Sequence, residues 1–128
     1  KVQQKVEADD RRICIPAELL WMVEAELQTN YSFTGWHTYW MLTRWLGTRK
    51  TEAMLIRWRD IDFDGFNGKG KITIPSPKTA STRPDRVSSL FHGYNNEYVD
   101  CGLKSYLMEL KRLSNPSEND FVLRLEVL

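Results

Sequence analysis

Arg49 and Glu52 are the residues whose types and spacing best suit chemistry on a phosphate. They lie three positions apart in a short predicted helix, from Arg49 to about Ile56, so their side chains share one face. This helix follows the predicted stop of a longer helix at Gly47, and helix N-termini present free N–H groups and a positive dipole end. A guanidinium steered by a carboxylate can bind phosphate there through two parallel hydrogen bonds. The alternative is an exposed ion pair that contributes little to stability.

Further cationic residues follow along the chain. Lys78 lies in a nine-residue loop, Ser76–Pro84, between two predicted strands. It is either a solvated lysine or a mobile cationic group that reaches a reacting phosphate. Arg86 opens the next strand and is interpreted as a sheet-edge or phosphate-positioning charge. Four more basic residues are candidates for contacts to a nucleic-acid backbone: Lys50, Lys69, Lys71 and Arg83.

Other classes of site find no support in the sequence. The two histidines lack metal-ligand spacing, and we interpret His37 as a core or boundary residue of a helix and His92 as a loop residue. No Ser/His/Asp or Cys/His set can be assembled. The glycines of Asp64–Gly70 lie in a predicted hairpin turn and not ahead of a helix, which argues against a glycine-rich phosphate loop. We therefore predict no metal and no cofactor.

Composition indicates a soluble globular chain. It has 128 residues, 41% of them hydrophobic and 27% charged, and no apolar run approaches the roughly 20 residues of a membrane span. Cys14 and Cys101 are interpreted as buried free thiols of a cytoplasmic protein. The net charge is only +1, but the segment from Arg44 to Arg86 holds ten basic and five acidic residues. A basic centre between acidic flanks suits a concave anion site, although charge clusters are usually solvated faces.

Hydrophobic spacing predicts an α+β fold that is mainly helical, with the helices packed against a small three-stranded antiparallel sheet. We predict four helices, over Pro16–Gln28, Thr34–Leu46, Arg49–Ile56 and Asn96–Leu113. We predict three strands, one running from near Arg57 to Phe63 and the others over Lys71–Pro75 and Arg86–Leu90. An apolar tail from Asp120 to Leu128 is expected to pack on something that follows it.

The stretch Gly47–Asp62 resembles the first conserved box of the tyrosine recombinases, the phage-integrase family. That box reads roughly T-G-x-R-x-x-E-x-x-x-L-x-W-x-D-I-D, and the match covers Arg49, Glu52, Trp58 and the Asp-Ile-Asp that begins at Asp60. The Thr-Gly order is lost, and Ile56 stands near the usual Leu. Two later stretches are also similar to the family: Ile72–Thr79, like its strand and Lys-Thr hairpin, and Arg86–Leu90, like its R-x-V-P-L strand with Ser in place of Pro.

The resemblance implies a DNA strand transferase that breaks and rejoins DNA through a 3′-phosphotyrosine intermediate. By resemblance, Arg49 would be the first of two phosphate-binding arginines, Glu52 its structural support, and Lys78 the general acid for the leaving 5′-oxygen. The expected partners are double-stranded DNA and copies of the same protein, since the family acts as tetramers on DNA. Site-specific recombination or integration of a phage or mobile element is the implied process.

Departures from the family limit this expectation. The His-x-x-Arg box and the nucleophilic Tyr are not found, and the five tyrosines of the chain are interpreted as packing residues. We therefore expect residues 1–12 to be a linker from an upstream domain and residues 13–128 to be part of a catalytic domain that does not cleave DNA by itself. Two alternatives remain: a catalytically silent DNA-binding or regulatory relative, and a protein-interaction domain unrelated to DNA.

Overall fold

The computed structural model describes residues 16–77 and 84–124. Its architecture is α+β, with a three-stranded antiparallel sheet and a separate two-stranded sheet beside the helices. The predicted fold class is therefore confirmed. The chain divides into two compact units, Lys1–Ser32 and Phe33–Leu128. The predicted linker, residues 1–12, lies outside the described residues.

Helix α1, Ala17–Asn30, belongs to the first unit. Pro16 precedes it, and its carbonyl accepts from the N–H groups of Leu19 and Leu20 at 3.0 and 3.1 Å. Proline suits this position because its missing N–H would have no partner in the first turn. The Asn30 amide donates to the Glu26 carboxylate at 2.8 Å, one turn earlier. The predicted helix is thus present and ends at the predicted stop.

In the second unit, helix α2 spans Gly35–Leu46 and helix α3 spans Lys50–Leu55. Thr34 caps α2 by accepting the N–H of His37 at 3.3 Å, as short hydroxyl side chains do at helix starts. Gly47 ends α2 at φ 64°, a left-handed conformation that favours glycine. Both helices were predicted, and only two residues, Thr48 and Arg49, lie between Gly47 and the start of α3.

The strand predicted from near Arg57 is much shorter than expected. A 3₁₀ turn occupies Trp58–Asp60, and strand β1 covers only Ile61–Asp62. The side chain of Asp60 accepts the N–H of Arg57 at 2.9 Å, and the Arg57 carbonyl accepts the N–H of Asp60, also at 2.9 Å. These two reciprocal hydrogen bonds close the turn. A short acidic side chain can bond a nearby main-chain N–H that would otherwise pair with a neighbouring strand, and it thereby favours a turn over a strand. Trp58, the first residue of the turn, is buried at 2% exposure and belongs to the hydrophobic core.

Strands β2, Lys71–Ile74, and β3, Arg86–Ser89, complete the larger sheet in the order β1-β2-β3. Ile61 pairs with Ile72, and Ile74 pairs with Arg86. A helical turn over Gly65–Gly68 joins β1 to β2, with Phe66 and Asn67 at positive φ. The sheet therefore has the three strands and the antiparallel arrangement expected from the sequence.

The last predicted helix begins later than expected. The first residues of the predicted helix instead form strand β5, Glu97–Val99, which pairs with β4, His92–Tyr94, in a hairpin. Helix α4 spans only Leu103–Ser114. Asn95 and Asn96 connect the strands with φ of 50° and 63°, values that suit the two-residue turns of β-hairpins and that asparagine tolerates. His92, interpreted as a loop residue, accordingly opens a strand.

The core of the second unit joins α2, α4 and the larger sheet. Its fully buried members include Leu42, Ile72, Leu90 and Leu107. The chain after α4 returns along the 3₁₀ turn: Val122 donates to the carbonyl of Ile56 at 3.0 Å. The apolar residues Val122 and Leu123 are buried there, whereas residues 125–128 of the predicted tail lie outside the described residues.

Candidate nucleic-acid interface

Arg49 immediately precedes α3 and has an extended backbone, with φ −80° and ψ 161°. The carboxylate of Glu52 accepts its main-chain N–H at 2.9 Å. This is one of the two hydrogen bonds of a capping box, and it satisfies a main-chain N–H at the start of the helix. The Arg49 side chain is exposed, and among residues 16–77 and 84–124 it makes no hydrogen bond or ion pair. Its guanidinium donors therefore remain available for a ligand.

Glu52 also joins α3 to the sheet. The same oxygen, Oε1, accepts from Nη2 of Arg86 at 3.0 Å. The Glu52 side chain is only 15% exposed, whereas that of Arg86 is 48% exposed, so the guanidinium of Arg86 keeps solvent-facing donors. One carboxylate thus holds the backbone of one arginine and the side chain of another. We call Arg49, Glu52 and Arg86 the arginine cluster.

The arginine cluster refines the role expected for Glu52. Glu52 was predicted to support Arg49. It bonds the main-chain N–H of Arg49, whereas the guanidinium that it bonds is that of Arg86. The three residues of the arginine cluster carry two positive charges and one negative charge, which leaves a net positive charge. Such an arrangement can bind an anion with the planar, paired donors that phosphate oxygens accept well.

The loop that carries Lys78 leaves the sheet beside the arginine cluster. Ile74, the last residue of β2, pairs with Arg86, and the carboxylate of Asp85 accepts the N–H of Ser76 at 2.8 Å. The two ends of the loop are therefore tied together next to Arg86. Lys78 and Arg83 themselves lie outside the described residues.

The remaining basic candidates lie at different places. Lys50, the first residue of α3, is exposed next to Arg49. Lys71 begins β2 and pairs with Ser89, at the opposite end of the strand from Arg86. At about 3.3 Å per residue, these strand ends are roughly 10 Å apart. Lys69 lies in the turn before Lys71, so the structure groups Arg49, Lys50, Glu52 and Arg86 and leaves Lys69 and Lys71 apart.

His37 and the described tyrosines differ in how deeply they are buried. His37 is buried, and its Nδ1 accepts the N–H of Phe33 at 3.2 Å, which agrees with its interpretation as a core or boundary residue. Tyr106 is buried and bonds the hydroxyl of Thr38 at 2.8 Å. By contrast, Tyr31, Tyr94 and Tyr98 are exposed, so their interpretation as packing residues is wrong.

Tyr106 and Cys101 both have perturbed pKa values. Burial raises the pKa of the Tyr106 phenol to about 12. Burial also raises the pKa of the Cys101 thiol. Cys101 is half-buried and has no disulfide, and its thiol donates to the carbonyl of Leu90 at 3.5 Å. A thiol with a raised pKa forms little of the nucleophilic thiolate at neutral pH, which argues against a catalytic role for Cys101.

Among the described residues, no group of His, Cys, Asp and Glu could hold a metal ion. None of the helices described is long and apolar enough to cross a membrane.

Sequence reasoning missed two features of this unit. One is the pairing of Arg86 with Glu52, which depends on sheet register and leaves no local signal. The other is a cavity beside Trp45, His92 and Tyr98, part of whose wall is the unexpected β4–β5 hairpin.

Comparisons of the chain with protein-family models, with curated proteins and with solved structures give no match.

Proposed function

We propose that the arginine cluster binds a phosphate of double-stranded DNA, and that the chain is part of a tyrosine-type DNA recombinase or integrase. One observation carries the proposal: Oε1 of Glu52 bonds both the backbone of Arg49 and the guanidinium of Arg86. It links Arg49, to which the resemblance assigns phosphate binding, with Arg86, which was interpreted as a sheet-edge or phosphate-positioning charge. The guanidinium of Arg49 then projects from a fixed backbone with its donors available.

Each residue would have a distinct role in strand transfer. Arg49 would bind the non-bridging oxygens of the phosphate and stabilise the charge that develops in the transition state. Glu52 would hold Arg49 and Arg86 in position. Lys78, on the loop that leaves the sheet beside Arg86, would donate a proton to the leaving 5′-oxygen. The nucleophilic Tyr and a second arginine box have no match in this sequence, so the proposal for the chain itself is DNA binding without cleavage.

The binding half of the proposal is tested by fluorescence anisotropy of a labelled duplex titrated with the chain. Arg49→Gln keeps the main-chain N–H that Glu52 accepts, so the fold should be preserved. We expect the Kd to rise about tenfold, as for the loss of one charge-assisted hydrogen bond. Arg112→Gln is the matched control, because Arg112 is exposed on α4 and pairs with Glu109 in the same helix. An equal effect of both substitutions would contradict a specific role for Arg49.

The catalytic half is tested in the full-length protein by trapping a covalent protein–DNA complex. Arg49→Lys should nearly abolish cleavage with the fold intact, since an ammonium cannot reproduce the planar guanidinium fork. Lys78→Ala should slow cleavage of ordinary DNA and be largely rescued by a substrate with a better 5′-leaving group. Wild-type cleavage by the Arg49 variant would refute its assignment, and an absence of rescue would refute the general-acid role of Lys78.

The alternatives make different predictions in the same assays. A silent DNA-binding relative would show the loss of affinity on Arg49→Gln, but its full-length protein would form no covalent complex. A protein-interaction domain unrelated to DNA would show no duplex binding above that of an unrelated protein of similar net charge.

A further inference from the structure

A cavity of about 430 Å³ lies in the second unit, and none of the three residues of the arginine cluster lines it. It is bounded by the end of α2, the turn between β1 and β2, strand β3 and the β4–β5 hairpin. Small-molecule sites typically measure roughly 300–1,000 Å³. Its size therefore suits a ligand of modest dimensions.

Aromatic rings form much of its wall. Trp45 and His92 meet edge to face, with ring centroids 5.4 Å apart and an angle of 64° between the planes. Tyr98 covers the backbone of its cross-strand partner Gly93, since a Cβ on that glycine would be 3.4 Å from the tyrosine ring. Phe66 and Phe91 complete the aromatic lining. Flat faces of this kind stack well on planar rings, and nucleobases use such platforms irrespective of sequence.

The charges around the cavity favour an anion. Lys69 lines it, and among the described residues no Asp or Glu does. The side chain of Lys69 makes no hydrogen bond or ion pair with the described residues. A neutral ligand, such as a sugar, would leave the positive charge of Lys69 without a partner.

We propose that this cavity binds a nucleotide, with the base stacked among the aromatic rings and the phosphate beside Lys69. Asn67 and Ser88 line the same space and supply an amide and a hydroxyl for polar groups of the ligand. The ligand is either a free mononucleotide or an unpaired nucleotide of a nucleic-acid strand. The inference does not depend on the proposed phosphate site at Arg49, because Arg49, Glu52 and Arg86 do not line the cavity.

The experiment is an NMR titration of the complete ¹⁵N-labelled chain. The indole N–H signal of Trp45 is assigned with Trp45→Phe, and the amide of Gly93 provides a second probe. Trp36 is an internal control, because it is 61% exposed and does not line the cavity. The additions are AMP, adenosine, inorganic phosphate, a single-stranded tetradeoxynucleotide and its abasic counterpart.

We expect saturable shifts of the Trp45 and Gly93 signals with AMP or with the tetradeoxynucleotide. Tighter binding of AMP would identify the ligand as a free mononucleotide, and tighter binding of the tetradeoxynucleotide would identify it as an unpaired nucleotide of a strand. Lys69→Gln should weaken AMP about tenfold, as for one charge-assisted hydrogen bond, and leave adenosine unchanged. Lys111→Gln, outside the cavity, should change neither. Tyr98→Ala should weaken AMP and adenosine alike, about fivefold or more.

Three results would overturn the inference: no saturable shift with any base-containing ligand, equal shifts with inorganic phosphate or the abasic strand, or equal shifts of Trp36 and Trp45. A failure here leaves the duplex-binding proposal intact, because that proposal is read out by Arg49→Gln. Conversely, AMP binding would persist in a protein that does not bind duplex DNA.

Discussion

At the scale of single residues, the spacing of Arg49 and Glu52 was informative and the position of Arg86 was only partly so. Arg49 precedes α3 with an extended backbone, so the two side chains do not share a helical face as predicted. The spacing of three instead lets Glu52 accept the main-chain N–H of Arg49, which is a local property of the sequence. The bond between Glu52 and Arg86 joins residues 34 positions apart and follows from the pairing of β3 with β2. No local pattern encodes such a contact, so sequence reasoning could name both residues as candidates without pairing them.

The link between Glu52 and Arg86 predicts a measurable coupling energy. Glu52 is mostly buried while Arg86 is half exposed, so solvent weakens the pair without removing it. In a double-mutant cycle of Glu52→Ala and Arg86→Ala, we expect a coupling of about 0.5–1 kcal/mol in the free energy of unfolding. Urea denaturation of the four proteins measures it. Strictly additive losses would show that the bond contributes nothing to stability.

The phenol of Tyr106 predicts a dependence of stability on alkaline pH. The hydroxyl of Thr38 donates to the carbonyl of Thr34 at 3.0 Å, so Tyr106 donates to Thr38 and must stay protonated to do so. Its pKa rises from 10 to about 12 on folding, so the stabilisation is complete below pH 10 and is lost as pH rises toward 12. Between pH 9 and 11 the loss should be about 1 kcal/mol relative to Tyr106→Phe. An identical pH dependence of the two proteins would contradict this.

At the scale of elements, capping residues predicted the helix ends correctly, whereas the alternation of apolar residues after Arg57 did not predict the structure there. Pro16, Thr34 and Gly47 mark helix ends through local backbone chemistry, and the structure places the ends of α1 and α2 there. The predicted strand from Arg57 and the predicted helix from Asn96 failed for a related reason. In each, short polar side chains (Asp60 in one, Asn95 and Asn96 in the other) favour a local turn over regular structure.

The turn between β1 and β2 predicts a contrast between two glycines. Both Gly68 and Gly70 have positive φ, +86° and +95°, but a Cβ on Gly70 would lie 2.9 Å from Cβ of the buried Leu90, while one on Gly68 meets nothing within 4 Å. Gly68→Ala should therefore cost about 1–2 kcal/mol from backbone strain alone. Gly70→Ala should cost about 2–3 kcal/mol more because Leu90 must also move. Urea midpoints compare the two, and equal losses would show that packing on Leu90 is unimportant.

At the scale of the whole molecule, composition and periodicity were sufficient to predict the α+β class. They did not predict the separate β4–β5 hairpin or the cavity that it helps to form. The function proposed for the chain rests on the arginine cluster and on the resemblance of Gly47–Asp62 to the tyrosine recombinases. With a net charge of +1, duplex binding would have to come from a local concentration of positive charge.

The most direct test of this account is the salt dependence of duplex binding. The slope of log K against log salt reports the number of phosphates that the protein neutralises, about 0.9 per contact. For the wild-type chain we expect a steep decline of affinity with salt, and for Arg49→Gln a slope smaller in magnitude by about 1. Arg112→Gln should retain the wild-type slope. A wild-type chain that binds duplex DNA with no salt dependence, or an Arg49 variant with an unchanged slope, would contradict the claim that Arg49 binds a DNA phosphate.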